Sequence, residues 1–204
     1  GSTVVIKNTT DYTDNYAAGS NSVGLWAART AGAFGNSLQI STCPSATAYE
    51  ETAKTTVADA SMAVGDTVVT VTSGTGISAG DIVNFGDQYE YRVVSVATND
   101  LTIVRKEEPQ HFVASDSSGL HATITNGAAV RRRWKYYDLF DKAPGTSPAA
   151  AAKGGSNDEL HIVVIDEDGA ITGTKGDVLE TYDAVSKGSD AKTPQGDVNY
   201  YPDV

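Results

Sequence analysis

Apolar and polar positions alternate most regularly in the middle of the chain. From Tyr89 to Val96, Tyr89, Tyr91 and Val93 fall on one side while Glu90 and Arg92 fall on the other. That period of two is the signature of a strand with one face in water. Similar short segments recur at Thr67–Thr72, Asp81–Phe85, Leu101–Arg105, Ala122–Thr125 and Ala128–Arg133. Turn chemistry separates them at Ser73-Gly74-Thr75-Gly76, Gly86-Asp87 and Thr98-Asn99-Asp100. Strands of this length and spacing predict a small antiparallel barrel or sandwich over 57–133.

The flanking segments have a different texture. Before residue 57, short strands are expected at Val4-Val5-Ile6 and Leu38-Gln39-Ile40, with one helical turn at Gly24–Arg29 that Gly32 and Gly35 would break. Gly32 and Gly35 are expected at positive φ, turning the chain into the strand at Leu38, with Trp26 and Phe34 as buried anchors. After residue 133, the aromatic run Trp134–Phe140 predicts a segment buried on one side. Lys142–Asp158, rich in Ala, Gly, Pro and Ser, reads as a flexible surface loop. Leu160–Ile165 is nearly all apolar and predicts a strand buried on both faces. Val178, Leu179, Tyr182 and Val185 recur at helical spacing, with Asp177 as N-cap and Gly188 just past the end, so a helix is expected there.

The fold class expected is therefore α+β and β-rich. A discontinuous, sandwich-like α/β host domain is built from 1–56 and 134–204, and a small antiparallel β-barrel is inserted at 57–133.

Composition narrows the partners. The 204 residues carry 15 Lys+Arg against 26 Asp+Glu, a formal net charge of −11. Such a surface repels phosphate backbones and anionic bilayers, so neither a nucleic-acid partner nor membrane insertion is expected. The single cysteine, Cys43, excludes an internal disulfide and reads as a small buried residue. Gly1-Ser2 reads as a cloning remnant, so the chain is expected to be a piece of a larger protein, monomeric by itself.

Three stretches carry a resemblance. The first is Leu25-Trp26-Ala27-Ala28-Arg29-Thr30-Ala31-Gly32-Ala33-Phe34-Gly35-Asn36-Ser37-Leu38-Gln39-Ile40. The second is Tyr137-Asp138-Leu139-Phe140-Asp141-Lys142-Ala143-Pro144-Gly145-Thr146-Ser147. The third runs from Gly154 to Gly169 and continues through Gly173-Thr174 and Val178-Leu179-Glu180 to Asn199-Tyr200-Tyr201. In this order they resemble the contractile-tail sheath proteins of T-even-like bacteriophages, the marine members most closely. The chain departs from the commonest pattern at Thr30-Ala31, where many sheath proteins carry an aromatic-Pro pair. Ala63–Val71 and Gly80–Asp87 resemble a small β-module that recurs in phage structural proteins, read here as an insertion decorating the outside of the tail.

The resemblance implies a structural subunit of the virion tail. The complete protein would stack in hexameric rings around a tail tube, with neighbouring sheath subunits and the tube as partners. Contraction of that sheath would drive the tube through the host envelope.

The side chains with chemical potential read blandly. Asp166-Glu167-Asp168-Gly169 lacks the alternating oxygen ligands and distal Glu of a calcium loop and predicts a tight turn. His111, His121 and His161 have no metal-ligand spacing; His161 is expected in the core and the other two in solvent. Arg131-Arg132-Arg133, with Arg105 and Lys106, is the one basic cluster, expected as a solvated strand or an intersubunit salt-bridge site. No phosphate loop opens a helix and no nucleophile elbow is present, so no enzyme, catalytic residue, metal ligand or cofactor is expected. The alternative reading is a host-surface or glycan-binding decoration, which Tyr89 or Tyr91 exposed in a groove as a sugar platform would favour.

Overall fold

A computed structural model describes residues 6–16, 26, 28, 33–107, 111–112 and 119–204. In chain order its elements are helix α1 (Thr9–Asn15), strand β1 (Leu38–Cys43), helix α2 (Ala46–Tyr49), and strands β2 (Glu50–Thr56), β3 (Ser61–Met62), β4 (Val68–Thr70), β5 (Ile82–Asn84) and β6 (Tyr91–Ala97). Then come β7 (Asp100–Glu107), β8 (His111–Phe112), β9 (Ile124–Thr125), β10 (Ala129–Arg133), helix α3 (Pro148–Ala151), β11 (Glu159–Asp166) and β12 (Asp177–Ser186). The chain is β-rich, with several antiparallel pairings.

It divides into two units. The smaller comprises Gly1–Thr42 and Leu160–Val185, and the larger comprises Cys43–Glu159 and Ser186–Val204. These boundaries differ from the expected breaks at 56/57 and 133/134. The first shift comes from β2, which pairs antiparallel with β10 (Arg133↔Glu50, Ala129↔Thr56) and so belongs with the middle strands.

In the larger unit the strands lie in the order β2-β10-β5-β6-β7-β4, with β8 on β7. All six strand segments expected in the middle of the chain are strands. Their inward positions build one core in which Val69, Tyr91, Val93, Leu101, Ile103, Leu120 and Val130 are each 0% exposed. Full burial of one such aliphatic side chain contributes about 1.5–3 kcal/mol. The ends of β2 and β4 are also joined: Val57 bridges Val71, the Thr72 N–H donates to the Thr56 carbonyl, and the Ala58 N–H donates to that of Thr70. Trp134, Tyr136 and Phe140 are buried as the aromatic run predicted, with Trp134 packed at 5.5 Å from Tyr136 and 5.7 Å from Phe140.

In the smaller unit the sheet order is β1-β11-β12. The central place of β11 explains its near-continuous burial, from Leu160 through Ile162 and Val163 to Ile165. Asn8 caps α1, its side chain accepting the Asp11 N–H.

Three expectations are corrected. The segment 177–186 is the strand β12, not a helix. Val178, Thr181, Tyr182 and Val185 are β-branched or aromatic and suit a pleated surface, and a neighbouring strand supplies the backbone partners that a lone helix would need internally. Phe34 (66% exposed) and Trp26 (39%) are not buried anchors. Gly35 sits in a 3-10 turn, Ala33–Ser37, rather than at a positive φ. Gly32, the helical turn at 24–29 apart from Trp26 and Ala28, and the strand at 4–6 apart from Ile6 lie outside the described residues.

Candidate functional site

The basic cluster on β10 is consumed inside the chain. Strand alternation sends Arg131 and Arg133 to one side and Arg132 to the other. Arg133 donates to Glu50 (Nε–Oε2 2.9 Å) and Glu90 (Nη1–Oε1 2.7 Å), and Arg131 lies 3.4 Å from Glu90. On the opposite side Arg132 grips Asp81 with both prongs (2.9 and 3.1 Å) and donates to the Ala48 carbonyl at 2.6 Å. This corrects the expectation of a solvated strand or an intersubunit salt bridge: the partners are intrachain.

Tyr137 is the hub of the first side. Its hydroxyl donates to Glu90 Oε2 at 2.6 Å and accepts from Lys106 Nζ at 2.8 Å. Lys106 and Arg133 also stack on its ring, 4.5 and 4.8 Å from the centroid. Asp138 completes the set, 3.4 Å from Lys106. Burial pushes the Tyr137 phenol up, and its donation to Glu90 pushes it further. Burial would lower Lys106, but its bond to Tyr137 and the charges of Asp138 and Glu90 outweigh that and hold it high. Lys106, Arg131 and Arg133 are thus balanced by Glu50, Glu90 and Asp138. Arg105, the remaining cation, donates to the Gly119 and Leu120 carbonyls.

A second polar assembly centres on Asp158. Its carboxylate accepts from the Ser147 N–H (2.8 Å), the Ser147 hydroxyl (2.7 Å) and the Ser186 hydroxyl. Burial would raise this carboxyl, but the hydrogen bonds from Ser186 and Ser147 outweigh it and hold it below the usual carboxylate range. The Ser147 hydroxyl also caps α3 by accepting the Ala150 N–H. The expected flexible loop 142–158 is therefore pinned at both ends, with Ser147 only 1% exposed.

Asp166, fully buried, makes the turn that the sequence predicted. It accepts the N–H groups of Gly169 (3.0 Å), Ile171 (2.9 Å) and Thr172 (2.7 Å), and the Thr172 hydroxyl. Those bonds overcome the effect of burial and hold its carboxyl low. Its oxygens are spent on backbone donors rather than offered to a cation. Among the described residues, no group of three or more His, Cys, Asp or Glu side chains has a metal-holding arrangement. His161 is buried as expected, its Nδ1 accepting the Ala184 N–H at 3.0 Å.

His121 departs from its solvent-facing expectation. It stacks on Tyr89 at 4.1 Å, and its N–H donates to the Tyr91 hydroxyl. Tyr91 is 0% exposed and forms no sugar platform, while Tyr89 is half-buried with His121 stacked on its ring. The His111 side chain lies outside the described residues. Cys43 is 0% exposed, and burial pushes its thiol up to about 11.

Two participants were missed by the sequence reading. Glu50 lies on β2, a strand with no apolar alternation; only its threonines hinted at β-structure. Asp158 finds its partners 11 and 28 positions away, a spacing that no local motif announces. No helix among the described residues is long and apolar enough to cross a membrane. Comparisons of the chain with protein-family models, curated proteins and solved structures found no match.

Proposed function

We propose that this chain is part of the subunit of a phage contractile tail sheath, assembled around a tail tube and acting through its interfaces rather than through a pocket. One observation carries the reading: the third sheath-like stretch is bonded both to the distant first stretch and to the second, which lies close to it in sequence. The Glu167 N–H of the third stretch donates to the Ser37 carbonyl of the first at 2.7 Å. Ser147 of the second holds Asp158 of the third, and the Glu159 N–H donates to the Gly145 carbonyl at 3.1 Å. Residues that recur as a signature in a mechanical protein are expected to fix packing in this way. Scattered matches without a common cause would have no reason to meet.

The middle strands are read as a small barrel decorating the outer side of the sheath. The Val57–Val71 bridge, which links the first and last strands of the β2-to-β4 order, supports closure. The whole protein would store its energy in a metastable extended lattice and release it by subunit rearrangement. Its partners are neighbouring sheath subunits and the tube, and its place is the virion tail.

Immunogold labelling of contractile-tailed particles, with antibody raised against this chain, tests the proposal. Gold along the whole tail shaft is expected. Gold confined to the tail tip or capsid would overturn it.

A further inference from the structure

The chain passes between its two units three times, at Thr42/Cys43, Glu159/Leu160 and Val185/Ser186. All three passages arrive, on the larger unit's side, at one hydrogen-bonded knot. Lys187 Nζ donates to the Pro44 carbonyl (2.7 Å) and the Asn157 carbonyl (3.2 Å), tying the first passage to the second and third. Asp158 accepts from Ser186, and the Lys187 N–H donates to the Asp158 carbonyl at 2.8 Å, tying the second to the third. Ser147 anchors Asp158 to the body of the larger unit, and the Glu159 carboxylate adds a bond from the Gly145 N–H at 2.9 Å.

The knot is buried at Ser186 and Ser147, while Lys187, Pro44 and Asn157 lie at the surface. The Ser186 hydroxyl donates to Asp158 and accepts the Gly188 N–H at 3.0 Å, so both its capacities are used, and Ser186 is 0% exposed. The backbone beside it carries strain that must be offset. Ala184, next to the third passage, has φ +50, and Asn157, next to the second, has φ +56. A β-carbon makes such an angle unfavourable for Ala184, less so for Asn157, whose side chain tolerates it, so the Ala184 conformation persists because its surroundings over-determine it.

We propose that the Ser147–Asp158–Ser186–Lys187 knot is a mechanical clamp. It makes the three chain passages to the smaller unit a single attachment instead of three independent tethers. A tension applied to the smaller unit's strands is then shared among the three passages at this point. The covalent topology and the knot require no particular arrangement of the units in space.

Hydrogen exchange read by mass spectrometry tests this on the full chain, comparing wild type with Asp158→Asn and Ser186→Ala. Loss of a hydrogen bond to a charged group corresponds to about a tenfold or greater change in an opening equilibrium. The clamp predicts that amides of β11 and β12 lose about tenfold of their protection while those of β6 and β7 keep theirs. Unchanged protection in β11 and β12, or an equal loss in all four strands, overturns it. Should Asp158→Asn fail to fold, Ser147→Ala removes the hydroxyl donor together with the α3 cap and keeps the backbone bond to Asp158. It is judged by the same contrast between strands.

Discussion

Glu90 and Tyr137, 47 positions apart, are joined by a 2.6 Å hydrogen bond from the phenol to the carboxylate. Glu90 immediately precedes β6 and Tyr137 opens the second sheath-like stretch. The bond therefore stitches that stretch onto the strand module and makes it part of the same packed unit.

Removing the hydroxyl with Tyr137→Phe leaves Glu90 its bond to Arg133 and leaves Lys106 its contact with Asp138. A loss of about 1–2 kcal/mol is expected. Glu90→Ala leaves Lys106, Arg131 and Arg133 facing only Glu50 and Asp138, and is expected to cost about 3 kcal/mol. Urea denaturation followed by tryptophan fluorescence measures both, and the order should be Glu90→Ala worse than Tyr137→Phe.

Two glycine substitutions separate crowding from backbone preference. A Cβ at Gly119 would stand 2.0 Å from the Gly65 carbonyl oxygen and 2.6 Å from that of Asp66. Both are backbone, and the same segment seats the fully buried Leu120. Gly119→Ala is expected to lose about 3 kcal/mol. Gly127 has φ +80 and open space around it, so Gly127→Ala is expected to lose only about 1 kcal/mol. Thermal midpoints of the two variants should differ accordingly.

Acid should unfold the chain through Asp158 and Asp166. Both carboxyls are held below their usual values in the folded state. A depressed folded-state value means the stabilisation is fully present above the unfolded value of about 3.9. It is lost as pH falls through the depressed one. Stability is therefore expected to stay level with respect to these two groups from neutral pH down to about 5 and to fall steeply below about 4. Thermal scans across that range check it, and Asp158→Asn should flatten the fall.

Cys43 should be silent in the native state. It is fully shielded, and its thiol is held at about 11, so almost no thiolate exists at neutral pH. Iodoacetamide at pH 8 is expected to leave it unmodified over hours, and to alkylate it promptly once denaturant is added. Mass spectrometry reads both arms.

Much of the larger unit was legible because its strands carry apolar alternation: Tyr91 and Val93, or Leu101 and Ile103, declare their face two residues at a time. Glu159–Asp166 was legible for the opposite reason, its apolar run being nearly unbroken. β2 was not, because Glu50-Glu51-Thr52-Ala53-Lys54-Thr55-Thr56 is polar on both faces and is a strand by virtue of β10. β12 misled because Val178, Leu179, Tyr182 and Val185 fit a helical period as well as a strand, and only the partner strand decides between them. The charged hub around Tyr137 was half visible: the arginines and tyrosine stood out in the sequence, but their acidic partners come from three separate elements. Asp158 was invisible, since a carboxylate in a Ser- and Gly-rich loop looks solvated until Ser147 and Ser186 are brought to it.

Cryo-electron microscopy of contractile-tailed particles, in the extended and contracted states, decides whether the chain lies in the tail shaft as proposed. The prediction is density for the β1-β11-β12 sheet and for the β2-to-β4 strands repeated in every ring of the shaft, with the strand module at the outermost radius in both states. Finding the same strands only at the baseplate, a fibre or the capsid would contradict it.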